Sequence, residues 1–267
     1  MWEKYKINEI DPKYLDVTEK RFKEQKVLLH ELIDNDRYIV SLFFSEGSKP
    51  LLDPLKVINR VIVYIKYPLD YRGNPTDFHY FQAFRRFWGR CLKTFRNDFD
   101  FWQFASETAW LGYGDCEDSS ILTGAGLENL KVLDLCDYFV CLGAVYKDWR
   151  LLGYHGWVIA KIDGIWRLVE TTLDTPYSSV TEMPSVNINT NEWEVGELTY
   201  KAMVIFNKNE LWEWVEDNGG YMTATYNVGD KLKEYLKKTH KEKETKRKYK
   251  EMSKTYWKLM RKGMKVK

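Results

Sequence analysis

No run of eighteen apolar residues occurs in the 267-residue chain, so no segment reads as a membrane-spanning helix. The N-terminal Met-Trp-Glu-Lys-Tyr-Lys is followed by charged residues rather than by an apolar stretch, which argues against a secretory leader. The expected location is the cytoplasm of the cell that made it, or a virus particle. Cysteine is scarce, with only Cys91, Cys116, Cys136 and Cys141. None forms a Cys-x-x-Cys pair and no histidine stands at zinc-ligand spacing from any of them, which argues against a structural zinc. In a reducing compartment all four are expected as free thiols. Cys91, Cys136 and Cys141 lie in apolar surroundings and read as small buried hydrophobes. A phosphate loop, a dinucleotide fingerprint and a Gly-x-Ser-x-Gly elbow are all absent, and no internal repeat is found.

What is present is a globular composition, 44% hydrophobic and 16% aromatic, enough to build a core. The length suits one domain with embellishments or two small ones. Charge is unevenly placed. From position 231 to the end there are 16 Lys and Arg against 4 Glu, a net +12. The whole chain is only +2, which leaves −10 on residues 1–230. A basic tail on an acidic body can dock an acidic partner, nucleic acid or a membrane surface, or extend as a solvated helix.

Periodicity gives the elements. A helix of mixed polarity is expected over about 17–33. A second should start at Asp53-Pro54, with Asp as N-cap and Pro at the first helical position. It carries Leu55, Ile58, Val61, Ile62 and Ile65 on one face. A third, from near Asp77, shows an aromatic stripe of Phe78, Phe81, Phe84, Trp88, Cys91 and Phe95, read as core-facing. After Gly112-Tyr113-Gly114 a fourth helix is expected over about 116–130, with Asp115 as N-cap and Asp118 in capping-box register. Gly124 and Gly126 inside it weaken the helix and point to close packing by another element. Strands follow at 138–146, 155–162, 165–171 and 199–206, with loop at 175–193 and a short helix at 211–216. The Asp163-Gly164 pair between two of these strands signals a two-residue type I′ hairpin.

The chemistry-bearing residues follow from this layout. A thiol works as the thiolate, and a helix N-terminus lowers its pKa; Cys116 is expected in a first helical turn. If Asp163 and Gly164 are the whole turn, Ile162 faces Ile165, Trp157 faces Glu170 and His155 faces Thr172. Alternation then puts His155, Trp157, Glu170 and Thr172 on one face, with Glu170 a diagonal neighbour of His155. Glu170 would accept the Nδ1 proton and leave Nε2 for the thiol. The alternatives are a capped helix start at Cys116 and a core histidine at His155.

Gly114-Asp115-Cys116-Glu117-Asp118, His155-Gly156-Trp157-Val158, and Trp166 with Glu170 four residues on resemble the three motifs of the transglutaminase-like superfamily. Asp100-Phe101-Trp102 with Glu107, and Ile58-Asn59-Arg60 through Tyr67 to Asp70, resemble the lead-in of its bacterial cysteine proteinases. The match covers about 55–206; the first fifty residues and the last third match no family pattern. The resemblance implies an α+β, papain-like fold whose central nucleophile-bearing helix packs on an antiparallel sheet. It implies a Cys116, His155, Glu170 triad acting on an amide through a thioester, with protein or peptide as substrate. Glu170 stands where the family usually has Asp, and Asp174 is a competitor of the same parity.

Hydrolysis would make the chain a cysteine protease or amidase, and amine transfer a transglutaminase. A non-catalytic binding or structural protein, as in a virus particle, is the other class. No cofactor is required for thiol chemistry. The carboxylates of Asp115, Glu117 and Asp118 oppose thiolate formation, however, and a cation would relieve that. The resemblance implies calcium, with Asp115 and Glu117 as ligands, against ordinary helix capping. The expected organisation is a helical extension over 1–52, the core over 53–207, a connecting segment over 208–230 and the basic helical tail over 231–267.

Overall fold

The computed structural model describes residues 1–5, 27–67 and 101–214. The aromatic-stripe helix, Cys91, Asp100, residues 17–26 and the basic tail lie outside them.

In chain order the elements are β1 (Trp2–Tyr5), a 3-10 turn (Leu29–Leu32), α1 (Tyr38–Phe43), β2 (Ser45–Glu46), β3 (Lys49–Pro50), α2 (Pro54–Tyr64), α3 (Ala105–Leu111) and α4 (Cys116–Lys131). Then come β4 (Asp137–Lys147), β5 (Arg150–Ile162), β6 (Ile165–Val169), a second 3-10 turn (Val180–Glu182), β7 (Glu192–Val195), β8 (Leu198–Phe206) and β9 (Leu211–Trp214). Helices come first and an antiparallel sheet second, an α+β architecture. The main sheet has seven strands in the order β1-β9-β8-β4-β5-β6, with β7 also pairing β8. Among the described residues no helix is long and apolar enough to cross a membrane.

Local signals account for the helices. The Asp53 carboxylate accepts the Leu55 N–H at 2.9 Å and Pro54 follows, so α2 starts where cap chemistry puts it. Its Val57, Ile58, Val61 and Ile62 are buried against α4, each stabilising the fold by about 1.5–3 kcal/mol through burial. Buried on nearly every side, α4 packs on α2, α3, β4 and β5. Its two interior glycines mark where neighbours press closest. A Cβ on Gly124 would meet Val140 Cγ2 at 2.8 Å on β4, and one on Gly126 would meet Val57 Cγ1 at 2.6 Å on α2.

The β5–β6 hairpin has the expected turn. Ile162 pairs Ile165, and Asp163 and Gly164 both take positive φ, 53° and 79°, as a type I′ turn requires. Even positions of β5 such as Val158, Ala160 and Ile162 join the core under α4, while Trp157 and Ile159 join a second cluster on the opposite face.

Several expectations change. Of the helix expected over 17–33, the described part holds only the turn Leu29–Leu32. Residues 211–214 form a strand rather than a helix, because Leu211 and Glu213 alternate inward while the segment is held between β8 and β1. Hence residues expected as flanks, 1–52 and 208–230, supply two strands of the main sheet. Finally, β6 stops at Val169, two residues short of the expected 171.

Candidate functional site

Cys116 is the first residue of α4, entered from a loop pinned to the chain that leaves α2. The Lys66 N–H donates to Gly112 O at 3.0 Å and the Gly114 N–H to Lys66 O at 3.3 Å. Gly112 ends α3 in the left-handed conformation, φ 71°, that a residue with a Cβ avoids. This brings Tyr67 within electrostatic reach of the thiol. Burial first, and then the charges of Cys116, Asp115, Glu117 and Glu170, push its hydroxyl pKa up, so it stays protonated.

The cap of α4 differs from expectation. Asp115 occupies the N-cap position without a side-chain cap bond. Asp118 does supply the reciprocal half of the box, its carboxyl accepting the Asp115 N–H. It also accepts the Gln103 N–H at 2.8 Å and a second bond from Gln103 Nε2. Gln103, fully buried ahead of α3, was not singled out by the sequence pattern, although it directly follows the Asp100-Phe101-Trp102 motif.

Around the sulfur, the Asp115 and Glu117 carboxyls and Cys116 Sγ lie within 4.8 Å of one another. Cys116 is half-buried, and its thiol donates to Glu117 Oε2 at 3.3 Å. Burial, then the charges of Glu117 and Asp115, push the thiol pKa well up, with only the Gly156 N–H acting the other way. The helix N-terminus therefore does not win here, which corrects the expected lowering. Burial and the Asp115 charge in turn hold the Glu117 carboxyl well above its ordinary pKa. Among the described residues, Glu117 Oε1 is buried without a hydrogen-bond partner.

Strand β5 runs past this helix end. A Cβ on Gly156 would stand 3.1 Å from Glu117 Cα and 3.2 Å from Cys116 O, so any larger residue would press the strand back from the helix end by a few tenths of an ångström. From that position the Gly156 N–H acts to lower the thiol pKa. One residue earlier, His155 donates Nε2–H to Glu170 Oε2 at 2.7 Å. The carboxylate that meets His155 is Glu170; Asp174 makes no such contact. The nitrogen is Nε2 rather than the expected Nδ1, which leaves Nδ1 as the free ring position. Diagonal placement across the hairpin brings the far end of the imidazole to the carboxylate.

Four donors fix that carboxylate. Oε2 also accepts Tyr200 OH at 3.1 Å, while Oε1 accepts the Thr172 N–H at 3.0 Å and Thr172 Oγ1–H at 2.7 Å. Burial raises the Glu170 pKa, but the His155 bond and charge and the Thr172 bonds outweigh it, so the net shift is downward and Glu170 is ionised. The ring of His155 lies 6.2 Å from that of Trp157 and 6.3 Å from that of Tyr200. Among the described residues the thiol's acceptor is Glu117 and the imidazole's partner is Glu170; the fold brings their backbones together at Gly156 without a thiol–imidazole hydrogen bond. Cys136 and Cys141 are buried, as expected of structural thiols.

No protein-family model matches the chain, and no curated protein matches it. Among solved structures it is similar to calcium-bound LapG of Legionella pneumophila, 14% identical, over 74% of this chain and 85% of that one with a TM-score of 0.35. Legionella pneumophila LapG in a second form is 13% identical over 79% and 96% of the two chains, TM-score 0.37. Its EGTA-treated form is 14% identical over 79% and 96%, TM-score 0.36. A likeness this loose carries neither fold nor function across, and the site stands on its own residues.

Proposed function

We propose that the chain is a thiol-dependent amide hydrolase, a cysteine protease or amidase of the papain-like, transglutaminase-like kind. Cys116 is the nucleophile, His155 the general base and then acid, and Glu170 the group that orients the imidazole. The observation that carries this reading is the His155–Glu170 bond of 2.7 Å, made one residue before Gly156, where an added Cβ would stand 3.2 Å from Cys116 O. An ionised carboxylate on Nε2–H fixes the tautomer, so that Nδ1 carries the lone pair.

On this reading Nδ1 takes the thiol proton as Cys116 Sγ attacks the carbonyl carbon of a substrate amide. The tetrahedral adduct collapses to a thioester while the imidazolium returns that proton to the departing amine. Water, deprotonated by the same nitrogen, then cleaves the thioester to the acid and the free thiol. The thiol must first exchange its Glu117 acceptor for Nδ1. A protein or peptide amide suits this chemistry, and an amine in place of water would make the product a transamidated chain.

Calcium belongs to the same proposal. Two buried carboxylates, of which Asp115 raises the proton affinity of Glu117 and Glu117 has an unbonded oxygen, suit a hard cation, whereas the third nearby group, sulfur, does not. Asp115 and Glu117 would hold the ion. Bound there, it would offset the negative charge that now keeps the thiol protonated.

The test is incubation of wild type and Cys116→Ala with casein and, separately, with casein and an excess of a primary amine. New peptide termini that need Cys116 support hydrolysis, and Cys116-dependent amine incorporation supports the transferase. Equal products from both proteins sink the triad.

A further inference from the structure

Hairpin β5–β6 ends its ladder early, and the reason lies in the site. The last rung is Val158 to Val169. By the same register the next inward-bonding position of β5, Gly156, would face Thr171, but the ladder has ended there and Gly156 lies against Cys116 and Glu117 instead. The gap beside the thiol therefore leaves Thr171 without a rung to β5, while Glu170, one residue earlier, turns its N–H and C=O to the outer edge of β6, as Leu168 does toward Pro184 O. An unsupported backbone at that place would let the Glu170 carboxylate, and with it the His155 ring, drift relative to the sulfur.

Two side chains from elsewhere hold this strand end in place. Tyr177 OH accepts the Glu170 N–H at 3.0 Å and donates to Glu170 O at 3.3 Å, so a single hydroxyl serves both backbone groups of this residue. Tyr177 is gripped in turn by Asn59 of α2, whose Nδ2–H donates to Tyr177 O at 2.8 Å and whose Oδ1 accepts the Tyr177 N–H at 2.9 Å. Burial holds the Tyr177 hydroxyl pKa up at about 12, so it remains neutral and keeps both roles. On the other side Thr171 Oγ1 lies 3.2 Å from Ser120 Oγ, which donates to Cys116 O at 2.6 Å. The separated strand end is thus tied to α2 on one side and to the nucleophile's own helix turn on the other.

We propose that Asn59 and Tyr177 are positioning residues that hold the outer backbone edge of Glu170 in place, and so set where His155 stands against Cys116. This inference rests on the triad reading. Both residues act through Glu170 and touch no reacting atom.

The test reads carboxamidomethylation of Cys116 by iodoacetamide in the full chain, site by site by mass spectrometry, as a function of pH. Thermal midpoints are measured alongside. Tyr177→Phe and Asn59→Leu should lose the imidazole-dependent part of the profile, slowing the reaction near neutrality by about 10-fold to 100-fold, the size of loss known for outer hydrogen-bond partners of metal-bound histidines. Asn59→Asp, which keeps the acceptor for the Tyr177 N–H, should fall between them and wild type; it decides the matter if the other variants do not fold. Wild-type profiles in these variants beside a lost one in Glu170→Gln would overturn the relay and leave the triad standing. So would a slowing that is uniform with pH and tracks only the thermal midpoint. A wild-type profile in Glu170→Gln itself would bring down the triad, and the relay with it.

Discussion

Glu170 reaches His155 from beyond the last rung of its strand, at 2.7 Å and on Nε2. Because four donors already saturate the carboxylate, its place in the site is fixed by more than its partner. Glu170→Gln should keep the fold and lose amide hydrolysis by orders of magnitude; a neutral swap at the corresponding acid of a serine triad costs about 10⁴ in kcat. Asp174→Asn should be nearly silent. Activity lost in Asp174→Asn and kept in Glu170→Gln would reverse the assignment.

The thiol is restrained by its neighbours. Glu117→Gln removes the nearest carboxylate, so the pH midpoint of Cys116 alkylation should fall relative to wild type. Calcium should lower the wild-type midpoint in the same direction, EGTA should restore it, and Asp115→Asn should be insensitive to either. A calcium response unchanged in Asp115→Asn would place the cation elsewhere or nowhere.

Acid stability should carry the signature of Glu170. Its folded pKa is below the ordinary carboxylate value, so its contribution is complete above that value and disappears as pH falls through the folded one. Glu117 and Asp118 are raised, so theirs runs the opposite way, complete in acid and lost as pH climbs. Between about pH 5 and 3 the wild-type thermal midpoint should therefore drop more than that of Glu170→Gln, with ordinary carboxylates titrating near 4. Parallel curves would remove the linkage.

Packing at α4 gives a prediction independent of chemistry. Gly126→Ala gains about 1 kcal/mol of helix propensity. The new methyl, however, would stand 2.6 Å from Val57 Cγ1 and 2.7 Å from Phe44 Cζ, both on buried side chains. Overpacking of that kind costs about 1–3 kcal/mol, so the variant should be less stable by chemical denaturation. A gain in stability would mean that α2 can move aside.

Patterns with a local cause were legible in the sequence. The Asp53-Pro54 start, the Asp163-Gly164 turn and the shared reach of His155 and Glu170 each follow from short-range rules. The choice of ring nitrogen was not legible, because it depends on how far the imidazole extends across the diagonal rather than on parity. The thiol environment was only half legible. Its carboxylates could be counted, but their burial, which decides the contest with the helix end, is a tertiary property. Tyr177, Tyr200 and Gln103 reach the site from loops and a distant strand, and no periodicity announces such visitors. Strand β9 was missed because its four residues are too short to show a period, and its partners decide its state.

The two-residue turn at Asp163-Gly164 behaves as a ruler for the site. It lies in the turn beyond Ile162 and Ile165, well along β5 from His155, yet it alone determines which residue of the returning strand arrives opposite the imidazole. One residue inserted there would rotate the whole return by half a pleat, send Glu170 to the opposite face and present Val169 or Thr171 in its place. Every residue of the site would be intact and the pairing gone. Length at this surface bend is thus constrained as tightly as identity at the nucleophile, although nothing at the bend touches the chemistry.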